Sequence, residues 1–338
     1  MSATEFHLSD GRTLSKTETL RAVRNKNSQV IKDITTQSFD EGGLLNRQQF
    51  ATFYQEVQDS AQLLDRARFE PLSGPEYQID RLGIGEFNLR AVGEGDRADL
   101  RDIETGQIPI DVVKTSLPWE LTRETIEDTL EYENTAEIIL SKFTQAFGFE
   151  TEYLAWQGDT DLEAADEPDE PLDFITINDG WFKVAEERNS PTVDGTGTTL
   201  DDGVLFDATY EMEDVYLRAS DPLFIAHPKQ VIAYRQALSD RETNLGDQML
   251  TSADTPTPTG YNIAQSSAVP IDRVMFTDFS NLIYAVHRDM RVSVTTESEA
   301  VVMNDLFAQY NITARFDYTI EDEDGVVVIE NLDEPGPA

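Results

Sequence analysis

Apolar positions along this chain change period several times, and each change predicts an element. Asn46 can cap a helix running to about Arg66, because Phe50, Phe53, Tyr54, Val57, Ala61 and Leu64 recur at helical intervals. "PLSGP" at 71–75 then breaks the chain. Across 77–114 the pattern becomes that of a long two-stranded excursion: "FNLRAV" (87–92), a glycine-bearing polar tip "GEGD" (93–96), "RADLRDIETGQ", and "IPIDVVK" (108–114). Such a ribbon has little apolar surface of its own. It would be marginal alone and is expected to lie on a neighbour.

A shorter helix is predicted around 122–131, and the strongest helical signal follows it. Asn134 with Glu137 three residues later suits an N-terminus, since each side chain can satisfy an orphan backbone donor. Ile139, Phe143, Ala146, Phe147, Leu154 and Trp156 follow, and Gly158 is a good stop. About 24 residues at ~1.5 Å each make a rod of roughly 36 Å. Gly148 in its middle is unfavourable and marks the place for a bend.

Beyond the rod, "GWFKVAEE" predicts a short element and "PTVDGTGTTLDDG" a loop. A helix is expected over 201–218, with Leu205, Tyr210 and Val215 among its apolar positions. "PLFIAHP" reads as a buried strand, and Pro228 opens a helix over "KQVIAYRQALS" at the position where proline is favoured. After the polar, flexible "TSADTPTPTGYN" come strands "RVMFT", "NLIYAVH" and "RVSVTT". "EAVVMNDLFAQ" (299–309) reads as a helix and "NITARFDYTI" as an alternating strand. Asp324-Gly325 is expected to turn that strand into "VVVIEN" as a hairpin. No internal repeat is present.

Charge changes the picture most. The 338 residues carry 65 Asp and Glu against 26 Lys and Arg, a formal charge of −39, and only seven of the bases are lysine. Self-repulsion on this scale is a device of halophiles, and at roughly 1 M salt the Debye length shrinks to about 3 Å. The composition therefore reads as a surface made for molar salt. "GDTDLEAADEPDEPLD" (158–173), with eight carboxylates and no Lys or Arg, tests that reading. With Asp159 as the first position of a calcium loop, Asp161, Glu163 and Glu170 fall at the third, fifth and twelfth. Ala164 then stands where the turn needs glycine, and Pro168 and Pro171 prevent the following helix. The stretch is expected to be a solvated loop.

One region departs from the acidity. Residues 1–32 hold Arg12, Lys16, Arg21, Arg24, Lys26 and Lys32 against Glu5, Asp10 and Glu18, six against three, a local +3. This is either a polar N-terminal arm or an arm that touches an anionic polymer. Most bases of the 77–114 ribbon are arginines, Arg90, Arg97 and Arg101 among them, interleaved with Glu94, Asp99 and Glu104. Arginine suits ion pairs across an interface, because its planar fork can hold a carboxylate through two hydrogen bonds.

Candidate chemistry is sparse. The absence of cysteine excludes disulfides, thiolate metal sites and a cysteine nucleophile. No stretch approaches 18 apolar residues and no signal-type run opens the chain, so no membrane partner is expected and a soluble, non-secreted product is. His7, His227 and His287 lie far apart without metal-ligand spacing, and His227 beside Pro228 reads as structural. The GxG of "LGIGEFN" (82–88) is not followed by a helix, and no Walker motif or nucleophile elbow occurs. Carboxylate pairs carry no signal where acids are this abundant. No catalytic, cofactor-binding or metal-ligating residue is assigned.

The order of elements carries a resemblance. "LLNRQQFATFYQEVQDSAQLL", the hairpin "FNLRAVGEGDRADLRDIETGQIPIDVVKT", "PWELTRETIEDT", "NTAEIILSKFTQAFGFETEYLAWQGD", "DPLFIAHPKQVIAYRQALSDRETNLGD" and the closing "FTDFSNLIYAVHRDMRVSVTTESEAVVMNDLFAQYNITARFDYTIEDEDGVVVIENL" stand in that sequence. Together they resemble the major capsid protein of tailed double-stranded DNA viruses, with the Hong Kong 97-type α+β fold, and the acidity points to a virus of haloarchaea. The resemblance implies an N-terminal arm (1–70), an extended loop (71–117), a peripheral domain (118–160 and 291–334) and an axial domain (161–290). The peripheral domain would have the long helix as spine, with Ile139, Phe143, Phe147, Leu154 and Trp156 in its core. It implies a non-enzymatic virion subunit, assembled in the host cytoplasm into hexamers and pentamers around packaged double-stranded DNA. The basic arm would face that DNA, and Arg90, Glu94, Arg97, Asp99, Arg101 and Glu104 would contact neighbouring subunits. Scaffolding, portal and decoration proteins would be further partners. Some members weld their shells through a loop lysine and a C-terminal asparagine. Here 82–113 holds no lysine, Lys114 stands at the loop's base and Asn331 is generic, so no such crosslink is expected. A nanocompartment shell of the same fold and an unrelated halophilic carboxylate-based hydrolase are the alternatives.

Overall fold

The computed structural model describes residues 6–7, 13–14, 61, 63–72, 74, 76–83, 104–122, 135–162, 172–239, 257–287, 291–295, 301, 303–304 and 306–336. Its strands are β1 (Phe6–His7), β2 (Thr13–Leu14), β3 (Arg68–Leu72), β4 (Glu76–Gly83), β5 (Glu104–Asp111), β6 (Val113–Thr122) and β7 (Thr192–Asp194). They continue as β8 (Leu223–Ala226), β9 (Ile263–Gln265), β10 (Val274–Thr277), β11 (Leu282–His287), β12 (Arg291–Thr295), β13 (Leu306–Ile320) and β14 (Val326–Glu330). The helices are α1 (Thr135–Gln157), α2 (Leu172–Ile175), α3 (Trp181–Glu187), α4 (Asp202–Glu211), α5 (Asp214–Ala219) and α6 (Pro228–Ser239). The chain forms two compact units, 1–62 with 114–152 and 288–315, and 63–113 with 153–287 and 316–338. Both α1 and β13 supply residues to each.

In the first unit β12 pairs antiparallel with β13 from Arg291↔Thr313 to Thr295↔Gln309, and β6 also pairs with β13. Trp119 of β6 is its packing centre. The indole stacks on Phe143 of α1 at 4.2 Å and on Tyr310 of β13 at 5.1 Å, so three elements share one aromatic sandwich. Thr115 donates to the Ala314 carbonyl at 3.3 Å and Ser116 to Asn311 at 2.8 Å, fixing β6 beside β13.

The second unit contains the five-stranded sheet β7-β14-β10-β8-β9. Strands β8, β10 and β11 are buried along their whole length, which is why they read as unbroken apolar runs without alternation. Helices α4 and α6 share a core with this sheet through Leu205, Ala208, Val231, Tyr234, Phe224 and Phe276. In the same unit β11 pairs antiparallel with the end of β13 and parallel with β3. The end of α1 packs Trp156 edge-on against Trp181 of α3 at 4.7 Å. Backbone meets backbone there: Gly180 donates to the Gly158 carbonyl at 2.8 Å, and a Cβ on Gly158 would stand 2.2 Å from the Asn178 carbonyl oxygen. Gly158 ends the helix and also permits this close approach.

Several expectations are corrected. The single helix over 201–218 is two helices, because Met212 leaves α4 in extended conformation (ψ 135°) and turns inward, where it is 3% exposed. Tyr210, expected on the apolar face, is 81% exposed. The helix over 299–309 gives way to β13 at Leu306, since Leu306, Tyr310 and Ile312 meet the buried face as a strand. The hairpin at Asp324-Gly325 does not form. β13 and β14 lie in different sheets, and the β10–β11 connection makes the same transfer beside them. Asn281 steers both passages: its side chain donates to the Asp322 carbonyl at 2.9 Å and accepts from the Asp322 amide at 2.8 Å. Thr277 donates to the Gly325 carbonyl at 2.8 Å. The helix predicted from Asn46 lies outside the described residues except at its end, where Leu64–Arg66 form one 3-10 turn before β3. The helix around 122–131 also lies outside them, apart from Thr122 at the end of β6.

Candidate assembly surfaces

The ribbon is present at both ends of the stretch that predicted it. β4 and β5 pair antiparallel from Glu76↔Asp111 to Gly83↔Glu104. One side of this ladder is apolar: Ile79, Ile108, Ile110 and the following Val112 pack on Leu72 of β3 and on Ile283 and Ala285 of β11. The root is therefore anchored on its own chain. On the other side Gln78 and Pro109 face solvent, and Tyr77, opposite Ile110 near the start of β4, is 42% exposed.

A polar pin accompanies the apolar one. Asp317 of β13 accepts from the Asp111 amide at the end of β5, at 3.1 Å, and from the Tyr318 amide at 2.9 Å. Burial pushes its carboxyl up to about 6, and the Asp111 and Asp179 charges act in the same direction, while the two backbone donors oppose it. Tyr77, Gln78, Pro109, Ile110, Asp111 and Asp317 line an open cleft of about 680 Å³.

The acidic stretch after α1 has a cation the local sequence does not contain. Lys183 of α3 lies 3.3 Å from Asp159 and 3.0 Å from Asp161, and hydrogen bonds to these carboxylates hold its ammonium above the usual lysine range. The first two acids of the tested calcium loop thus neutralise a lysine 22 to 24 positions away. Among the described residues no group of three or more His, Asp or Glu could hold a metal ion.

Of the residues singled out from sequence, Phe147, Leu154 and Trp156 are buried, at 4%, 2% and 0% exposure, and Phe143 stacks on Trp119. Ile139 lies on α1, and Glu104 opens β5 opposite Gly83. Arg90, Glu94, Arg97, Asp99, Arg101 and the arm residues Arg12, Lys16, Arg21, Arg24, Lys26 and Lys32 lie outside the described residues. His227 caps α6 by accepting the Lys229 amide on Nδ1 at 3.1 Å, a structural role. Sequence reasoning missed Asn281, Asp317, Trp119 and Lys183. Only Trp119 carried a signal, as a large aromatic facing inward from an alternating strand.

Residues 41–331 match the phage capsid family. The chain belongs to that family. It is 24% identical over 326 residues to the putative prophage capsid protein YqbE of Bacillus subtilis (strain 168), covering 91% of this chain and 100% of the relative. Among solved structures it resembles the satellite phage P4 procapsid that includes the size determination protein. That match has a TM-score of 0.60 at 13% identity, over 84% of this chain and 91% of that one. The holo-SrpI encapsulin complex of Synechococcus elongatus matches at 0.50 and 11% identity, over 82% and 90%. The mixed α+β architecture is the Hong Kong 97-type fold of phage capsids. The chain is a phage major capsid protein, a component of the virion and a structural protein rather than an enzyme, which removes the hydrolase alternative. Among the described residues no helix is long and apolar enough to cross a membrane.

Proposed function

We propose that copies of this chain associate as pentamers and hexamers into the closed icosahedral head of a tailed virus, around double-stranded DNA, in the molar salt of a haloarchaeal host. The family match over 41–331 carries the reading. The charge of −39 supports its halophilic part. In this reading 1–70 is the N-terminal arm and 71–117 the extended loop that reaches over a neighbour. Residues 118–160 with 291–334 form the peripheral domain around the spine helix α1, and 161–290 form the axial domain at the capsomer centre. Arg90, Arg97 and Arg101 pair with carboxylates of adjoining copies, and Glu94, Asp99 and Glu104 with their bases. Arg12, Lys16, Arg21, Arg24, Lys26 and Lys32 face the packaged duplex, whose phosphates attract them. Scaffolding, portal and decoration proteins complete the partners, and assembly takes place in the host cytoplasm.

No lysine–asparagine weld holds this shell. Asn331 supports that point: it sits in the left-handed conformation (φ 59°) after β14, with its amide nitrogen 3.2 Å from Asp194. Electron microscopy of the purified chain in molar salt tests the whole reading. Angular shells or ring capsomers are expected, with nucleic acid inside particles recovered from infected cells. A persistent monomer overturns it, and shells loaded with protein instead of nucleic acid favour the nanocompartment.

A further inference from the structure

Helices α4 and α6 occupy opposite edges of the five-stranded sheet, α4 against β7 and β14 and α6 against β9. At about 4.8 Å between strands, those edges are about 19 Å apart. The inner rows of both helices share one core, and the Tyr234 hydroxyl of α6 donates to Asp202 of α4 at 2.9 Å. Their outer faces are opposite in character. α4 exposes Phe206 (38%) and, one turn on, Tyr210 (81%), flanked by exposed Asp207 and Glu211, and it contains no base. α6 exposes Ile232 (63%) between exposed Lys229 and Arg235, and it contains no acid. In a chain with 65 carboxylates and 26 bases, a 12-residue helix with two bases and no carboxylate runs against the composition.

Large apolar side chains grouped on one helix face, rimmed by charge, mark a contact surface. The occupant follows from the signs. Two α4 faces set together would oppose Asp207 and Glu211 to their own copies, and two α6 faces would oppose like cations, both unfavourable. An α4 face against an α6 face joins aromatic to aliphatic and acid to base. Such a contact is head-to-tail, and head-to-tail contacts that close give rings.

We propose that the outer face of α4 seats on the outer face of α6 of a second copy, Phe206 and Tyr210 covering Ile232, with Asp207 and Glu211 opposite Lys229 and Arg235. This contact rests on the shell-subunit reading and supplies the ring-forming interface of its capsomer. Within its own chain Lys229 lies 3.3 Å from Glu334, an exposed pair whose weak hold leaves the ammonium available to a neighbour.

The chain has no cysteine, so Tyr210→Cys with Ile232→Cys introduces its only thiols. Oxidation of the assembled double variant should give a ladder of covalent oligomers on a denaturing gel, ending at closed rings, while each single variant stays monomeric. Dimers from Tyr210→Cys alone overturn the proposal, as does a double variant that assembles but does not crosslink. A charge exchange decides the point independently. At the lowest salt that supports assembly, Lys229→Glu with Arg235→Glu should abolish rings, and adding Asp207→Lys with Glu211→Lys should restore them. Absence of restoration overturns the contact. Failure of the unmodified chain to form any ring or shell removes the shell reading and this contact with it.

Discussion

Asp317 couples a single proton to the root of the ribbon. Its folded carboxyl titrates near 6, whereas an unfolded aspartate titrates near 4, so the folded chain holds this proton more tightly. The stabilisation is fully present below about pH 4 and is lost as pH rises through about 6, amounting to roughly 3 kcal/mol. Asp317→Asn should remove that slope. The difference between the unfolding midpoints of the two proteins, followed from pH 4 to 7, measures it free of the many other carboxylates. A constant difference across that range would show that Asp317 ionises as an ordinary surface acid. Nothing in "ARFDYTI" announces this behaviour. The alternation assigns Asp317 to the side away from Phe316 and Tyr318, and the ribbon that packs on Ala285 beside it, and whose Asp111 amide, 206 positions away, donates to it, makes that side partly buried.

At the scale of elements, the β4–β5 ladder is held by Ile79, Ile108, Ile110 and Val112 on β3 and β11. The distal part of the ribbon can then be removed without disturbing that anchor. Replacing 84–103 with Asn-Gly joins Gly83 to Glu104, which already face each other, through a favoured two-residue turn. The shortened chain should keep its thermal midpoint within about 2 °C and fail to form shells by electron microscopy. Normal shells would mean that the distal ribbon contributes nothing to assembly. The ribbon, the helix at Thr135–Gln157 and the strand-helix pair "PLFIAHPKQVIAYRQALS" were legible because local period and punctuation sufficed. The division of 201–218 was not, because what stops α4 is the burial of Met212 in a core assembled from distant strands. The start of β13 at Leu306 has the same cause. Its partners β6 and β12, and not its local helix propensity, set the conformation.

For the whole molecule, the charge of −39 makes salt a structural condition. Dialysis of shells from molar salt to about 0.1 M lengthens the Debye length from about 3 to about 10 Å and restores repulsion between copies. Shells should dissociate, seen as a loss of fast-sedimenting material, and intact shells after prolonged dialysis would mean that apolar contacts dominate. The sequence by itself determined the acidic surface, the absence of thiol chemistry, the helix and strand periods, and an order of elements that resembled the capsid fold. These depend on residue type and on neighbours a few positions away. Tertiary structure alone decided that β13 and β14 part into two sheets at Asn281, that Lys183 pairs with Asp159 and Asp161, and that Asp317 is half-buried beside Asp111. Each of these joins positions far apart in the chain, where a residue's environment is set by what the fold brings to it and not by the residues beside it.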